Sequence, residues 1–315
     1  MKVFVTGGAG FIGSHLVERL IKKGDEVTVY DNFSSGKRGF LSNVLHNKRL
    51  KIVDADVLEL EKLKKAIAGF NIVYHLAANP DVRKGTLDTR LDLEQETIAT
   101  YNVLEAMRQT GVSKIVFPSS MTVYGRAKGV VSEKYGPCLP ISLYAAGKLA
   151  CEGLISAYCE TFGFTSWILR LANIVGGRAT HGVIYDLIHK LLKNSHSLEV
   201  LGDGWQNKPY IHIDDALNAM EFVVSHAEER VNLFNAGSSD TTRVSKIAEI
   251  IIEKMHLKNV KINYTGTPHG WKGDVPEFRL DVGKLSHPGF TARYSSSQAV
   301  SLAISSLLKE IGYQK

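Results

Sequence analysis

Three side chains of this sequence have the types and spacing for acid–base chemistry on an alcohol: Ser120, Tyr144 and Lys148. Tyr144 and Lys148 stand four apart in Tyr144-Ala145-Ala146-Gly147-Lys148, at the start of a helical stretch, so they share one helical face. An ammonium beside a phenol stabilises the phenolate, and is expected to draw the tyrosine pKa from about 10 towards neutrality. A phenol tuned in this way serves as general base or acid near neutral pH. Ser119-Ser120 close the strand-like run Lys114-Ile115-Val116-Phe117, and a hydroxyl at that edge could share the reacting proton with Tyr144. A serine there also commonly satisfies local backbone. Tyr124 and Lys128 repeat the same spacing, but Gly125 interrupts helical continuity between them, so Lys128 need not face Tyr124.

A second constellation opens the chain. Val3-Phe4-Val5-Thr6 runs into Gly7, Gly10 and Gly13, then into an amphipathic stretch that continues to Lys23. That order reads as strand, tight turn and helix, with Phe11 and Ile12 in the first helical turn. Backbone N–H groups and the positive helix end then converge where a pyrophosphate would sit. Gly7 permits the turn, Gly10 lets the backbone approach phosphate, and Gly13 removes a side chain where helix meets strand. The next strand-like run, Glu26 to Tyr30, ends in Asp31, near the spacing of the acid that binds an adenosine ribose. A carboxylate there accepts from ribose hydroxyls and repels a 2′-phosphate, which favours NAD over NADP; as an alternative, Asp31 is an ordinary turn residue. No Gly-Lys-Ser/Thr follows the glycines, which disfavours a Walker-type loop. The cation of an oxidised nicotinamide would push the tyrosine pKa in the same direction as Lys148.

Bulk properties set the frame. A chain of 315 residues with 44% hydrophobic and 22% charged residues is ordinary for a globular protein of one or two domains. No run of 18 apolar residues is present, so no membrane span is expected, and because the sequence enters a strand-like run from its first residues no signal peptide is expected either. Cys138, Cys151 and Cys159 have no metal spacing and cannot all pair, which points to a reducing cytoplasm and to no metal site. The net charge of +6 is spread rather than gathered in a basic block with interleaved aromatics, so no nucleic acid partner is expected.

The elements that must position these residues alternate. Strands are expected at about 2–6, 26–31, 49–54, 72–76, 114–119 and 165–170, and helices at about 12–23, 59–68, 93–110 and 144–162. This is the pattern of an α/β fold, a doubly wound parallel sheet in which ligands lie beyond the carboxyl ends of the strands. Asp56-Val57 and His75-Leu76-Ala77-Ala78 fall at two such ends. After about residue 172 the pattern is less regular, with a loop cluster at 202–209 and helices at about 214–225, 244–256 and 296–310. The expected division is a dinucleotide-binding domain over 1–172, rejoined at about 208–238, and a smaller interleaved lobe over 173–315.

Together these motifs resemble the extended short-chain dehydrogenase/reductases with their Rossmann fold, and more narrowly the archaeal-type UDP-glucose (UDP-galactose) 4-epimerases. The resemblance is carried by Thr6 to Gly13, Asp31-Asn32, His75 to Pro80, Ser119 to Gly125, Tyr144 to Lys148 and Arg170 to Asn173. It continues through His181 to Asp186, Gly202-Asp203-Gly204, Tyr210-Ile211-His212 and Gly273 to Pro276, nearly the whole chain in order. It implies Ser120, Tyr144 and Lys148 as catalytic residues. For NAD it implies the glycine turn with Phe11 and Ile12, then Asp31, Asn32, Asp56, Val57, Leu76, Ala77, Ala78, Tyr144 and Lys148. For a UDP-sugar it implies Ser120, Tyr144, Asn173, Val183, Leu201, Lys208, Asp274 and Phe278, and for assembly a homodimer through a four-helix bundle.

Four departures from the family pattern matter. Dehydratases and nucleotide-sugar decarboxylases of this superfamily place a Glu two residues after the catalytic Ser or Thr, where this chain has Thr122. This favours epimerisation through a 4-keto sugar, with NAD regenerated in each cycle. Met121 is bulkier than the usual small residue. Gln95-Glu96 replace two asparagines near the cofactor, and Lys208 and Trp271 stand at the usual pyrophosphate-binding arginine positions, with Lys272 adjacent and Arg178 able to compensate. Lys offers a point charge in place of a bidentate fork. Other nucleotide-sugar dehydrogenases and dehydratases, and a non-catalytic NAD- or RNA-binding protein on the same fold, are the alternatives.

Overall fold

The computed structural model describes residues 1–267, 269–270 and 273–313. Its centre is a seven-stranded parallel sheet. The strands β1 (Lys2–Thr6), β2 (Glu26–Asp31), β3 (Leu50–Asp54), β4 (Ile72–His75) and β5 (Lys114–Ser120) alternate with helices α1 (Phe11–Lys22), α2 (Leu60–Ile67), α3 (Thr89–Asp92) and α4 (Ala99–Thr110). Helix α5 (Leu143–Phe162) follows, then the strands Thr165–Leu171 and Val231–Ala236. The order across the sheet is Val231–Ala236, Thr165–Leu171, β5, β4, β1, β2, β3. The chain reverses direction across the sheet at β1, which pairs in parallel with both β2 and β4. That places Gly7 and Leu76 at the switch point where such sheets bind dinucleotides.

Local chemistry explains these elements. In β1 Val3, Phe4 and Val5 are completely buried, a continuous apolar run suited to a strand covered on both faces. Helix α5 starts at Ser142, whose side chain accepts from Ala145 N, and ends at Gly163 in the left-handed region (φ 74°). Helix α4 ends likewise at Gly111 (φ 77°). One expected element is not uniform: the helix at 93–110 divides into α3, a π-helical segment Leu93–Ile98 and α4. An extra residue per turn turns a helix face, and such segments cluster at functional sites.

Two units are distinguishable. The first comprises Met1–Val123, Ser142–Arg170 and Met220–Phe234; the second comprises Tyr124–Ile141, Leu171–Ala219 and Asn235–Lys315. In the first, α4, α5 and the sheet enclose a core that includes Phe4, Val103, Met107, Phe117 and Ile155. In the second, the helices Val183–Lys193, Val244–Lys254 and Ser296–Glu310 supply Leu187, Ile188, Ile247, Ile251, Ala303 and Ile304. Its two-stranded pieces pair Asn173–Val175 with Tyr210–His212, and Ser197–Val200 with Lys261–Tyr264. No described helix is long and apolar enough to cross a membrane.

Candidate active site

The glycine turn is constrained from several sides. Gly7 has φ +66°, and a Cβ there would lie 2.6 Å from Ala77 N. At Gly13 a Cβ would lie 2.2 Å from Gly7 O, so any side chain would push helix from strand. Gly10 differs, because among the described residues the only atom outside its chain neighbours within 4 Å of a Cβ would be Gly7 O, at 3.3 Å. Gly10 also begins α1 with no capping side chain and no acid in the first turn. The first intrahelical amide bond runs from Ser14 N to Gly10 O at 3.0 Å, so the turn of Phe11, Ile12 and Gly13 presents amides and a positive helix end. This donor set, with a glycine in place of a side chain, fits a pyrophosphate.

Asp31 ends β2 and organises the same turn. Its Oδ2 accepts from Ala9 N and its Oδ1 from Phe33 N, both at 2.8 Å. Burial holds its carboxyl above the ordinary range even though both amides favour the ionised form. At the next strand end Asn32 Nδ2 donates to Asp56 Oδ2 at 2.7 Å, and Leu58 N to Asp56 Oδ1 at 2.8 Å. Asn102 Nδ2 donates to Val57 O at 3.1 Å. Leu76, Ala77 and Ala78 leave β4 as half-buried residues, and Ala77 N donates to Thr6 Oγ1 at 3.2 Å.

From Thr6 a buried chain of hydrogen bonds crosses the unit. Thr6 Oγ1 meets His75 Nδ1 at 2.7 Å, and His75 Nε2 meets Thr100 Oγ1 at 3.0 Å. Thr100 Oγ1 meets Cys151 Sγ at 3.1 Å, and the thiol donates to Glu96 O at 3.3 Å. One direction satisfies every link: because the Cys151 S–H is committed to Glu96 O, Thr100 donates to Sγ, and His75 Nε2–H donates to Thr100. Nδ1 is then left to accept from Thr6. Burial, reinforced by Lys148, lowers the His75 pKa to about 3, so the ring is neutral as this order requires. None of these links was legible from the motif alone.

The structure brings Ser120, Tyr144 and Lys148 together. Ser120 lies close enough to the Tyr144 phenol to favour its ionised form. Thr122, which stands where the dehydratases and decarboxylases carry Glu, donates to Ser120 Oγ through its own Oγ1 at 2.8 Å and through its N–H at 3.2 Å. These two bonds fill the acceptor side of the Ser120 hydroxyl and leave its proton to point elsewhere. Lys148 Nζ lies 5.7 Å from the Tyr144 ring centroid and 4.7 Å from that of Phe117.

One expectation is corrected here. Burial raises the Tyr144 pKa above its ordinary value; Lys148 and Ser120 pull it down, while Glu96 and Asp92 push it up. Burial is the largest cause, and Glu96 adds to it: its Oε2 lies 3.0 Å from Lys148 Nζ with both side chains buried. Burial opposes the charge on Lys148, yet Glu96 and Tyr144 together raise its pKa above the ordinary value. The ammonium that the Tyr–Lys spacing assigns to the phenol is thus shared with a carboxylate. Tyr124, with the competing spacing, is buried and donates to Asn235 Oδ1 at 2.6 Å, while Lys128 is exposed.

In the second unit Lys208 forms an ion pair with Asp274, whose Oδ2 also accepts from Gly270 N at 2.9 Å. Phe278 is buried and stacks on Tyr124 with ring centroids 6.0 Å apart. Asn173 donates through its N–H and its Nδ2 to Pro209 O, each at 3.3 Å. Val183 opens the helix after Gly182, and Leu201 is exposed. Trp271 and Lys272 lie outside the described residues. Among the described residues no cluster of three or more His, Cys, Asp or Glu side chains could hold a metal ion.

The model of the NAD dependent epimerase/dehydratase family matches residues 3–237. A solved UDP-galactose 4-epimerase superposes with a TM-score of 0.88 at 38% identity, covering 99% of this chain and 100% of that one. The UDP-glucose 4-epimerase of Thermus thermophilus, solved in complex with NAD, gives 0.86 at 29% identity over 97% and 98% of the two chains. The UDP-N-acetyl-alpha-D-glucosaminuronate decarboxylase of Bacillus cytotoxicus is 32% identical over 90% of each chain.

Proposed function

We propose, for a chain that belongs to the NAD-dependent epimerase/dehydratase family, that its reaction is the 4-epimerisation of a UDP-hexose, interconverting UDP-glucose and UDP-galactose. The carrying observation is the arrangement at Ser120, where the neighbouring position holds Thr122, a hydroxyl bonded to Ser120 Oγ rather than a carboxylate. Elimination of water or handling of a carboxylated keto-sugar calls for an additional acid/base group, and epimerisation does not.

NAD is the family's cofactor, and when bound it supplies the acceptor and later the donor of the C4 hydride. The residues assigned to it are Gly7, Gly10 and Gly13 with the first amides of α1, Asp31 and Asn32 at the β2 end, Asp56 and Val57 at the β3 end, and Leu76 to Ala78. Tyr144, as phenolate, takes the proton of the 4′-hydroxyl and returns it after the keto-sugar has turned over. Ser120 donates to the same oxygen, its own acceptor side held by Thr122. The Tyr144 phenolate, made costly by burial and by Glu96, would be favoured by the positive charge that oxidised NAD brings when bound. Asn173, Val183, Leu201, Lys208, Asp274 and Phe278 are assigned to the nucleotide sugar, with Lys208 exchanging part of its ion pair with Asp274 for a phosphate. Exposed Ile98 and Tyr101 beside α4, with Leu143 and Phe162 on α5, suit a second copy of the chain in a four-helix bundle.

The second reading is a dehydratase or decarboxylase of nucleotide sugars, since the decarboxylase of Bacillus cytotoxicus and a dTDP-glucose 4,6-dehydratase of Streptomyces venezuelae are similar over nearly the whole chain. Incubating the purified protein separately with UDP-glucose and UDP-galactose, and resolving the products by chromatography and mass, decides between them. Interconversion at unchanged mass is expected. A product lighter by water or carbon dioxide would support the second reading, and no turnover of any UDP-hexose would refute the first.

A further inference from the structure

The reaction above makes no use of Glu96, although the fold takes trouble to accommodate it. Glu96 sits within the π-helical segment, 1% exposed, with its carboxylate against Lys148. The facing helix carries Gly147, where a Cβ would lie 2.9 Å from Glu96 Cβ and 3.4 Å from Asp92 O. The Glu96 carbonyl receives the Cys151 thiol, so the segment is tied to α5 by backbone as well as by side chain. The surroundings contain one cation for several acids. Lys148, Tyr144 and Cys151 face Glu96 from α5, Asp92 faces it from α3, and the Asn79 amide faces it from the loop after β4. His75 of β4 is coupled to Lys148 but is neutral. Asp92 Oδ2 and Glu96 Oε1 are both buried with no hydrogen-bond partner. A buried ammonium with a carboxylate at 3.0 Å cannot lend its whole field to a phenol whose ring centre is 5.7 Å away.

We propose that Glu96 is a positioning residue that competes with Tyr144 for the charge of Lys148, and thereby sets the pH at which Tyr144 becomes able to take the sugar's proton. With Glu96 ionised, forming the phenolate places a second anion beside one ammonium. With Glu96 protonated or replaced by an amide, its claim on the ammonium is removed and Tyr144 keeps a larger share of that charge, with Asp92 the remaining acid. The burial of Glu96, which lifts its carboxyl to about 7 against the pull of Lys148, places this exchange near neutrality. The proposal rests on Tyr144 being the base but not on which sugar is turned over.

The test is an ultraviolet absorbance titration of the Tyr144 phenolate in the NAD-loaded protein, taken as the difference between wild type and Tyr144→Phe. It is repeated with Glu96→Gln and Glu96→Asn in both backgrounds. The expected result is a transition at least one pH unit lower in the amide variants, a tenfold larger ionisation constant. The acid limb of kcat/KM should move by the same amount. An unmoved transition in variants that retain NAD and a cooperative melt would overturn the proposal. If neither variant folds, infrared titration of wild type decides: a carboxylic acid band must persist above the ordinary glutamate range and vanish as pH rises, and its absence would overturn the proposal. A shifted phenolate with no sugar turnover would refute the function proposed above and leave Glu96 in this role.

Discussion

Asp31 offers the sharpest quantitative test, because one carboxylate is asked both to hold the glycine turn and to read the cofactor. Asp31→Ala removes the acceptors of Ala9 N and Phe33 N, each at 2.8 Å. A buried donor left without a partner costs about 1–3 kcal/mol, so two set a range of about 2–6 kcal/mol. Two features move the expectation to the lower part of that range. The bond from Phe33 is only partly buried, so water can replace the carboxylate there. Burial also holds the Asp31 carboxyl above its ordinary range, so the wild-type charge carries a desolvation cost that alanine does not. We expect a loss of about 2–3 kcal/mol, a fall in Tm of about 3–5 °C for a chain of this size. Asp31→Asn, which keeps one acceptor, should lose about half as much. On the reading of Asp31 as the ribose ligand, the alanine variant also loses charge-assisted bonds of about 1.5–3 kcal/mol, weakening NAD roughly 10- to 150-fold. NADP, no longer repelled, should bind at least as well as before. Thermal melts and fluorescence titrations with both cofactors supply all four numbers. Unchanged melting would show that the carboxylate does not hold the turn, and unchanged NAD affinity with continued rejection of NADP would remove Asp31 from the cofactor site.

Three further outcomes follow from the geometry. Tyr144→Phe should keep NAD and substrate binding while turnover falls by about 10²- to 10⁴-fold, because only the ionisable hydroxyl is lost; near wild-type rates across pH would exclude Tyr144 as the base. On the assignment of Phe278 to the nucleotide sugar, Phe278→Ser should improve the efficiency on N-acetylated UDP-hexoses relative to UDP-glucose and UDP-galactose by about tenfold to a hundredfold, because the large ring no longer crowds a 2′-acetamido group. No gain in that ratio would leave Phe278 as a packing residue beneath Tyr124. Glu96 should also mark the pH dependence of stability. Its pKa is raised by burial from 4.5 to about 7, so the stability it contributes is complete below pH 4.5 and is lost as pH rises through about 7. The difference in Tm between wild type and Glu96→Gln should therefore change across that window and stay level below it; a difference constant from pH 4.5 to 7 would place the proton elsewhere.

What the sequence disclosed was what is written locally. The strand–glycine–helix opening, the alternating elements as far as Thr165–Leu171 and the helix bearing Tyr144 and Lys148 all announce themselves through apolar runs, glycines and an N-cap. The seventh strand, Val231–Ala236, does not, because Asn232 and Asn235 interrupt its apolar pattern. Their amides are used on buried carbonyls, Asn232 on Ser166 O and Asn235 on Val131 O and Asp281 O, partners remote in sequence. The helix Val183–Lys193 is not among the expected elements, although Ile184, Leu187, Ile188 and Leu191 follow helical spacing and are all buried. The π-helical segment and the competition for Lys148 could not be read in advance. Glu96 next to a predicted cofactor site looks like a misplaced charge until the fold brings Lys148 and Gly147 against it.

The strand Val231–Ala236 has a consequence for synthesis. It forms one border of the sheet, and its neighbour Thr165–Leu171 emerges some sixty residues earlier. Until the later segment leaves the ribosome, Thr165–Leu171 presents an unpaired edge of backbone donors and acceptors, the surface that recruits stray chains. Neither unit is a continuous stretch of sequence, so no truncation yields one intact, and closure waits on contacts between distant parts of the chain. Slow folding with a vulnerable interval is the expected kinetic signature.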